Sequence, residues 1–205
     1  MSGDAGRAAD GLGVRCACGH AERGFGTTVW NVQRWDAEQT GWVKRRSGLT
    51  APIDADFARL RVAPYKVTET VGNLVTNAGY SRIGNLFTAQ GATQAFDATH
   101  CRIGAGDGVT AVGYADTDLS AIAGSTHRWF QLVSAVFTIG GTRTWTVAAT
   151  FGTADGNFAW NEFGIDQGTA SGNTVTAILL NHALSSQGTK ASGQTWTATA
   201  TITWT

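Results

Sequence analysis

The sequence predicts a mainly β protein: an antiparallel β-sandwich with one packed helix and an extended N-terminal arm and hairpin. Three observations carry that expectation. Residues 195–205, "TWTATATITWT", set Trp196, Ala198, Ala200, Ile202 and Trp204 alternately with threonines. A strand turns such a period of two into one apolar and one polar face. The chain holds 27 glycines and only 2 prolines, so turns can use positive φ while few ladder donors are lost. Gly140-Gly141 joins two runs rich in β-branched and aromatic residues, the pattern of a two-residue hairpin.

Taken in order, residues 1–26 are small, polar and glycine-rich and read as an arm. Residues 27–35, "TTVWNVQRW", alternate as a strand, "DAEQTG" reads as a turn, and residues 42–46, "WVKRR", read as the return strand of a hairpin. A short helical turn is expected from Asp54. Pro64 marks a boundary, which divides the chain into 1–65, an arm with a small β-hairpin, and 66–205, a helix plus sandwich. Val71, Leu74, Val75, Ala78, Ile83, Leu86 and Phe87 recur at helical spacing and predict a helix over about 69–88. Gly72, Gly79 and Gly84 weaken it by about 1 kcal/mol each against alanine. Beyond it come a short strand ending in the turn Gly106-Asp107-Gly108, a capped helical turn at 117–123, and a long strand over 127–139. A return strand over 142–151 follows, then a turn at Asp155-Gly156 and a strand through "FAWNEFGI". An apolar strand through "TVTAILLNHALS", a loop "SQGTKASGQ" and the closing strand complete the chain.

Composition narrows the function. Charged residues are 15% of the chain, well below the roughly 25% of an ordinary soluble domain. Lysine plus arginine and aspartate plus glutamate are both 15, so net charge is zero and no global field favours nucleic acid or an anionic membrane. A near-neutral, low-charge surface favours self-association. No apolar run approaches the roughly 18 residues that span a bilayer, no apolar signal segment opens the chain, and three cysteines do not make a paired framework.

Candidate chemistry is sparse. Cys16, Cys18 and His20 resemble half a zinc site, but the second ligand pair is missing unless folding brings Cys101 and His100 to it. "GAGDG" at 104–108 lacks the lysine and spacing of a phosphate loop. Asp107, Asp116 and Asp118 lack the calcium-loop pattern. No G-x-S-x-G occurs, and His127 and His182 lie in apolar strand patterns that suit structural roles. Lys44, Arg45 and Arg46 form a basic cluster too small for a nucleic-acid footprint. Glu162, flanked by Trp160 and Phe163, is either a buried carboxylate bonded to backbone amides or a catalytic one. With neither a second strand carboxylate nor a histidine partner in view, the first reading prevails and no enzyme, metal or cofactor is expected.

The segments "GNLVTNAGYSRIGNLF", "IGAGDG", "TDL", "HRWF", "ATFGTADGNFAWNEFGI" and "LLNHALSSQGTKASGQTWTATATITW" together resemble a group of bacteriophage virion proteins. More distantly, they resemble the N-terminal region of tail-collar fibre proteins. The resemblance covers about residues 70–205. It implies a virion protein assembled in the host cytoplasm, whose partners are other copies of itself and other virion proteins. Its place would be tail, collar, baseplate or fibre attachment, or capsid decoration. A carbohydrate-binding module, with a host-surface glycan as ligand, is the rival reading. Trp30, Trp35, Trp42, Arg45 and Arg46 are the expected interface residues. Trp145, Trp160, Glu162, Phe163, Trp196 and Trp204 are the expected core, and Gly106, Asp107, Gly108, Gly140, Gly141, Asp155 and Gly156 the expected turns.

Overall fold

The computed structural model describes residues 26–72, 74–90, 95–134, 144–174 and 178–204. The arm with Cys16, Cys18 and His20, and the Gly140-Gly141 turn, lie outside the described residues. The chain is mainly β. Its strands are β1 (Thr27–Trp35), β2 (Lys66–Val71), β3 (Leu74–Val75), β4 (Arg102–Gly106), β5 (Arg128–Leu132), β6 (Thr144–Phe151), β7 (Ala159–Asp166), β8 (Leu179–Thr189) and β9 (Thr195–Thr203). Its helices are α1 (Ala37–Ser47), α2 (Asp54–Arg59) and α3 (Asn77–Thr88). A four-stranded sheet, β2-β1-β9-β6, faces a five-stranded sheet, β3-β8-β7-β4-β5, and the pairings are antiparallel.

The core between the sheets follows from period-two patterning. On β9, Trp196, Ala198, Ala200 and Ile202 are buried. Val147, Ala149 and Phe151 of β6 and Trp30 and Val32 of β1 join them. Trp160 is the aromatic centre. Its ring meets Phe151 at 4.6 Å, Trp196 at 5.0 Å and Phe163 at 5.8 Å between centroids, each edge-on, the orientation the ring quadrupole favours. Its indole N–H donates to the Gly156 carbonyl at 2.8 Å, so burial leaves no orphan donor. Gly156 has φ +65, which a glycine accepts without strain. Asp155 and Gly156 lie in the connection between β6 and β7. Trp145 and Trp204 are partly buried and pack against this core rather than within it.

The N-terminal region departs from expectation. Residues 37–47 are a helix, not a turn and return strand. The Asp36 carboxylate accepts from the Gln39 amide at 2.8 Å, and the Gln39 side chain accepts from the Asp36 amide at 3.1 Å. This capping box satisfies two donors that a helix start leaves open. Gly48, at φ +74, closes the helix. Strand β1 finds its partners in β2 and β9 instead, so the chain before and after residue 65 shares one sheet. Centrality in that sheet also removes Trp30 and Trp35 from the surface, at 1% and 2% exposure. Trp35 stacks on Phe57 at 4.3 Å in a second small core with Val43. Neither tryptophan is an exposed docking anchor. Trp42, at 43%, is exposed on α1, as are Arg45 and Arg46.

Four further boundaries differ, although residues 135–139 of the strand expected over 127–139 lie outside the described residues. The helix expected over 69–88 begins at Asn77, because Thr76 caps it by accepting from the Gly79 amide at 2.9 Å. The β-branched residues before it form β2. Residues 117–123 are not helical; their amides serve a carboxylate on the sheet. β5 ends at Leu132, and β8 runs on to Thr189 through what reads as loop.

Candidate functional site

The strongest concentration of ionisable side chains lies where the 107–127 segment crosses the five-stranded sheet. Glu162 is in β7, opposite Gly106 of β4 and Leu184 of β8, and is fully buried. Its Oε2 accepts from the Ser120 amide at 2.9 Å and the Ser120 hydroxyl at 2.8 Å. Its Oε1 accepts from the Ala121 amide at 2.7 Å. On the other side, Glu162 Oε2 and His182 Nε2 lie 2.8 Å apart, and His182 Nδ1 lies 2.6 Å from Asp116 Oδ2. His182, in β8, is itself buried. Two carboxylates flank one imidazole, so both ring nitrogens donate and the ring is an imidazolium.

Burial alone would raise the Glu162 carboxyl, but the bonds from His182, Ser120 and Ala121 outweigh it and hold the group below its ordinary value. Burial would likewise lower His182, and the two carboxylates outweigh it and raise the imidazole above its ordinary value. The chemical consequence is closure. A base needs a free lone pair, and the doubly donating His182 offers none. A nucleophilic or acidic Glu162 needs a free oxygen or a proton, and its oxygens are already engaged.

Gly106 is the last residue of β4 rather than part of a turn, and the Gly106-Asp107-Gly108 stretch packs on this carboxylate. A Cβ on Gly106 would lie 2.4 Å from Glu162 Oε1, and one on Gly108 2.5 Å from the same atom. Both positions therefore exclude a side chain. The Asp107 carboxylate lies 2.7 Å from His127 Nδ1, and Asn161 donates its side-chain amide to the Asp107 carbonyl at 3.1 Å. Asp118 pairs with Arg128 at 2.7 Å. The three aspartates weighed for calcium thus pair with His127, His182 and Arg128. A second buried ion pair links strands β4 and β7 in register: Arg102 Nε donates to Asp166 Oδ1 at 2.9 Å, and Nη2 donates to Oδ2.

Two further buried groups complete the inventory. Lys190 donates to the Gly152 carbonyl at 2.7 Å and to Asn157 Oδ1 at 2.8 Å, and burial lowers it to about 8 against the pull of Asp155. Cys101 is buried and unpaired with another cysteine, and burial pushes its thiol up, which suppresses the thiolate. Among the described residues no group of three or more His, Cys, Asp or Glu side chains is placed to hold a metal ion, and no helix is long and apolar enough to cross a membrane.

The apolar counterpart lies against α3. A cavity of about 330 Å³ is walled by Ile83, Leu86, Phe96, Trp145, Leu180 and Trp204, with Phe87 on its lip. Phe87 is 84% exposed. Trp42 is the exposed tryptophan among the described residues, so no tryptophan stands exposed on a sheet face.

Sequence reading placed Glu162 in the interior on amides but missed its histidine partner. The signal was present, since His182 interrupts an apolar strand as Glu162 does, and two buried groups of opposite tendency need each other. The apolar cavity was not foreseen, because its walls come from five separate segments. Comparison with protein-family models, curated proteins and solved structures finds no match to this chain.

Proposed function

We propose that this chain is a non-enzymatic structural protein that works by protein–protein assembly. The observation that carries this reading is the closure of the Asp116–His182–Glu162 chain: its most catalysis-like constellation is buried and consumed by internal hydrogen bonds. It ties the 107–127 segment to the sheet and presents no reactive atom to a substrate. The exposed large side chains, by contrast, include Phe87, Tyr80, Val71 and Ile122, which suit docking.

The setting proposed for that role is a bacteriophage virion, in the tail, collar, baseplate or fibre-attachment region, with other copies and other virion proteins as partners. Its support is the sequence resemblance over about residues 70–205. The test is recovery of the chain from purified particles of the phage that encodes it. Peptides present at a fixed ratio to known virion proteins are expected. Absence from the particles, or a hydrolytic activity of the purified chain that Glu162→Gln abolishes, overturns the proposal.

A further inference from the structure

A surface helix of a globular protein ordinarily turns charged residues to solvent, and α3 does not. Its residues, "NAGYSRIGNLFT", contain one charge, Arg82, and that side chain is buried. The exposed face carries Tyr80, Gly84 and Phe87, spaced i, i+4 and i+7, which places them on one ridge.

The two mid-helix glycines differ. A Cβ at Gly79 would lie 2.2 Å from the Leu180 carbonyl oxygen, so Gly79 is where the helix presses on the sheet. A Cβ at Gly84 would meet nothing within 4 Å. Glycine weakens a helix there, and among the described residues no close packing at that Cα requires it. Beside Gly84 stand a knob and a hole: exposed Phe87, and the apolar cavity walled by Ile83 and Leu86 of the same turns.

We infer that α3 is a two-fold contact with a second copy of this chain, with the helices crossing at Gly84 and each Phe87 seated in the other copy's cavity. The inference deepens the assembly reading and rests on it. A knob and a hole on one patch are self-complementary under a two-fold axis, where the same surface serves both partners. Phe87 lies three residues past Gly84, about 4.5 Å along the axis, within reach of a partner cavity that begins at Ile83. Gly84 lets the two backbones approach. Charge fits the same occupant. Among the described residues, those that line the contact carry no ionised side chain, so they incur no unpaired desolvated charge, and zero net charge leaves the copies without mutual repulsion.

The test is sedimentation equilibrium of the full chain, wild type against Phe87→Asp and Gly84→Leu, over a wide concentration range. Both substituted positions are exposed, and leucine is a better helix former than glycine. Circular dichroism and thermal unfolding confirm that each variant is folded. Wild type is expected to form a dimer or a larger even-numbered assembly. Each variant is expected to weaken association at least about tenfold, equivalent to about 1.4 kcal/mol. A wild type that stays monomeric overturns the contact. So does a wild type that assembles while both variants assemble equally well, and that outcome leaves the assembly reading standing, since particle content tests it separately.

Discussion

Glu162 shows how one residue's chemistry is decided by its neighbours. Its carboxylate is buried, so its charge survives only because backbone amides, a hydroxyl and an imidazolium receive it. Linkage fixes the pH behaviour. Glu162 is held below its ordinary 4.5, so its contribution is present above 4.5 and is lost as pH falls through the lower folded value. His182 is held above its ordinary 6.5, so its contribution is full below 6.5 and is lost as pH rises through the higher folded value. This pair therefore stabilises the fold most between about pH 4.5 and 6.5. Urea unfolding between pH 6.5 and about 8 should show falling stability in wild type, and His182→Asn should remove that slope. Lys190, lowered to about 8 from 10.5, adds the opposite trend, since the cost of burying its charge is relieved as pH rises from 8 to 10.5. What was legible here was the conflict of an acid among aromatics. What was not legible was its resolution, because Asp116 and His182 are 66 residues apart and meet only when the 107–127 segment folds over the paired strands β7 and β8.

At the level of elements, local chemistry was readable wherever a residue acts on its own neighbours. β9 is the clearest case: its alternation specifies both the strand and its buried face. The capping box of α1 was equally present in "DAEQ", yet the aromatic and β-branched residues after it read as strand. The cap and the tertiary contact of Val43 with the Trp35–Phe57 core decide otherwise. Asp36→Ala should therefore cost about 1 kcal/mol in thermal or urea unfolding. Helix α3 offers a paired test. Gly79→Ala drives a methyl into the Leu180 backbone and should destabilise by about 1–3 kcal/mol as overpacking does. Gly84→Ala enters open space and should stabilise the isolated fold by about 0.5–1 kcal/mol. Equal effects of the two alanines would remove the distinction between a packed and an open glycine. The β2–β3–α3 passage was misread as one helix because "VGNLV" carries helical spacing by accident, while Thr76 holds the true start.

Across the whole molecule, two antiparallel sheets enclose one aromatic core, and the 107–127 segment is fastened to them by buried charge. The fold class followed from composition and alternation. The joining of residues 27–35 to the C-terminal strand did not, because β1 pairs with a strand about 170 positions later in the chain, a separation that local patterns do not encode. The central claim is that the buried ionisable chain serves folding and not catalysis. The measurement that tests it most directly is urea unfolding of wild type and Glu162→Gln, run beside assays for glycoside and ester hydrolysis on the same samples. Removing one partner of a buried, paired charge should lower the unfolding free energy by about 3–5 kcal/mol, with no turnover by either protein. A Glu162→Gln protein as stable as wild type, having lost an activity that wild type possesses, would contradict the claim.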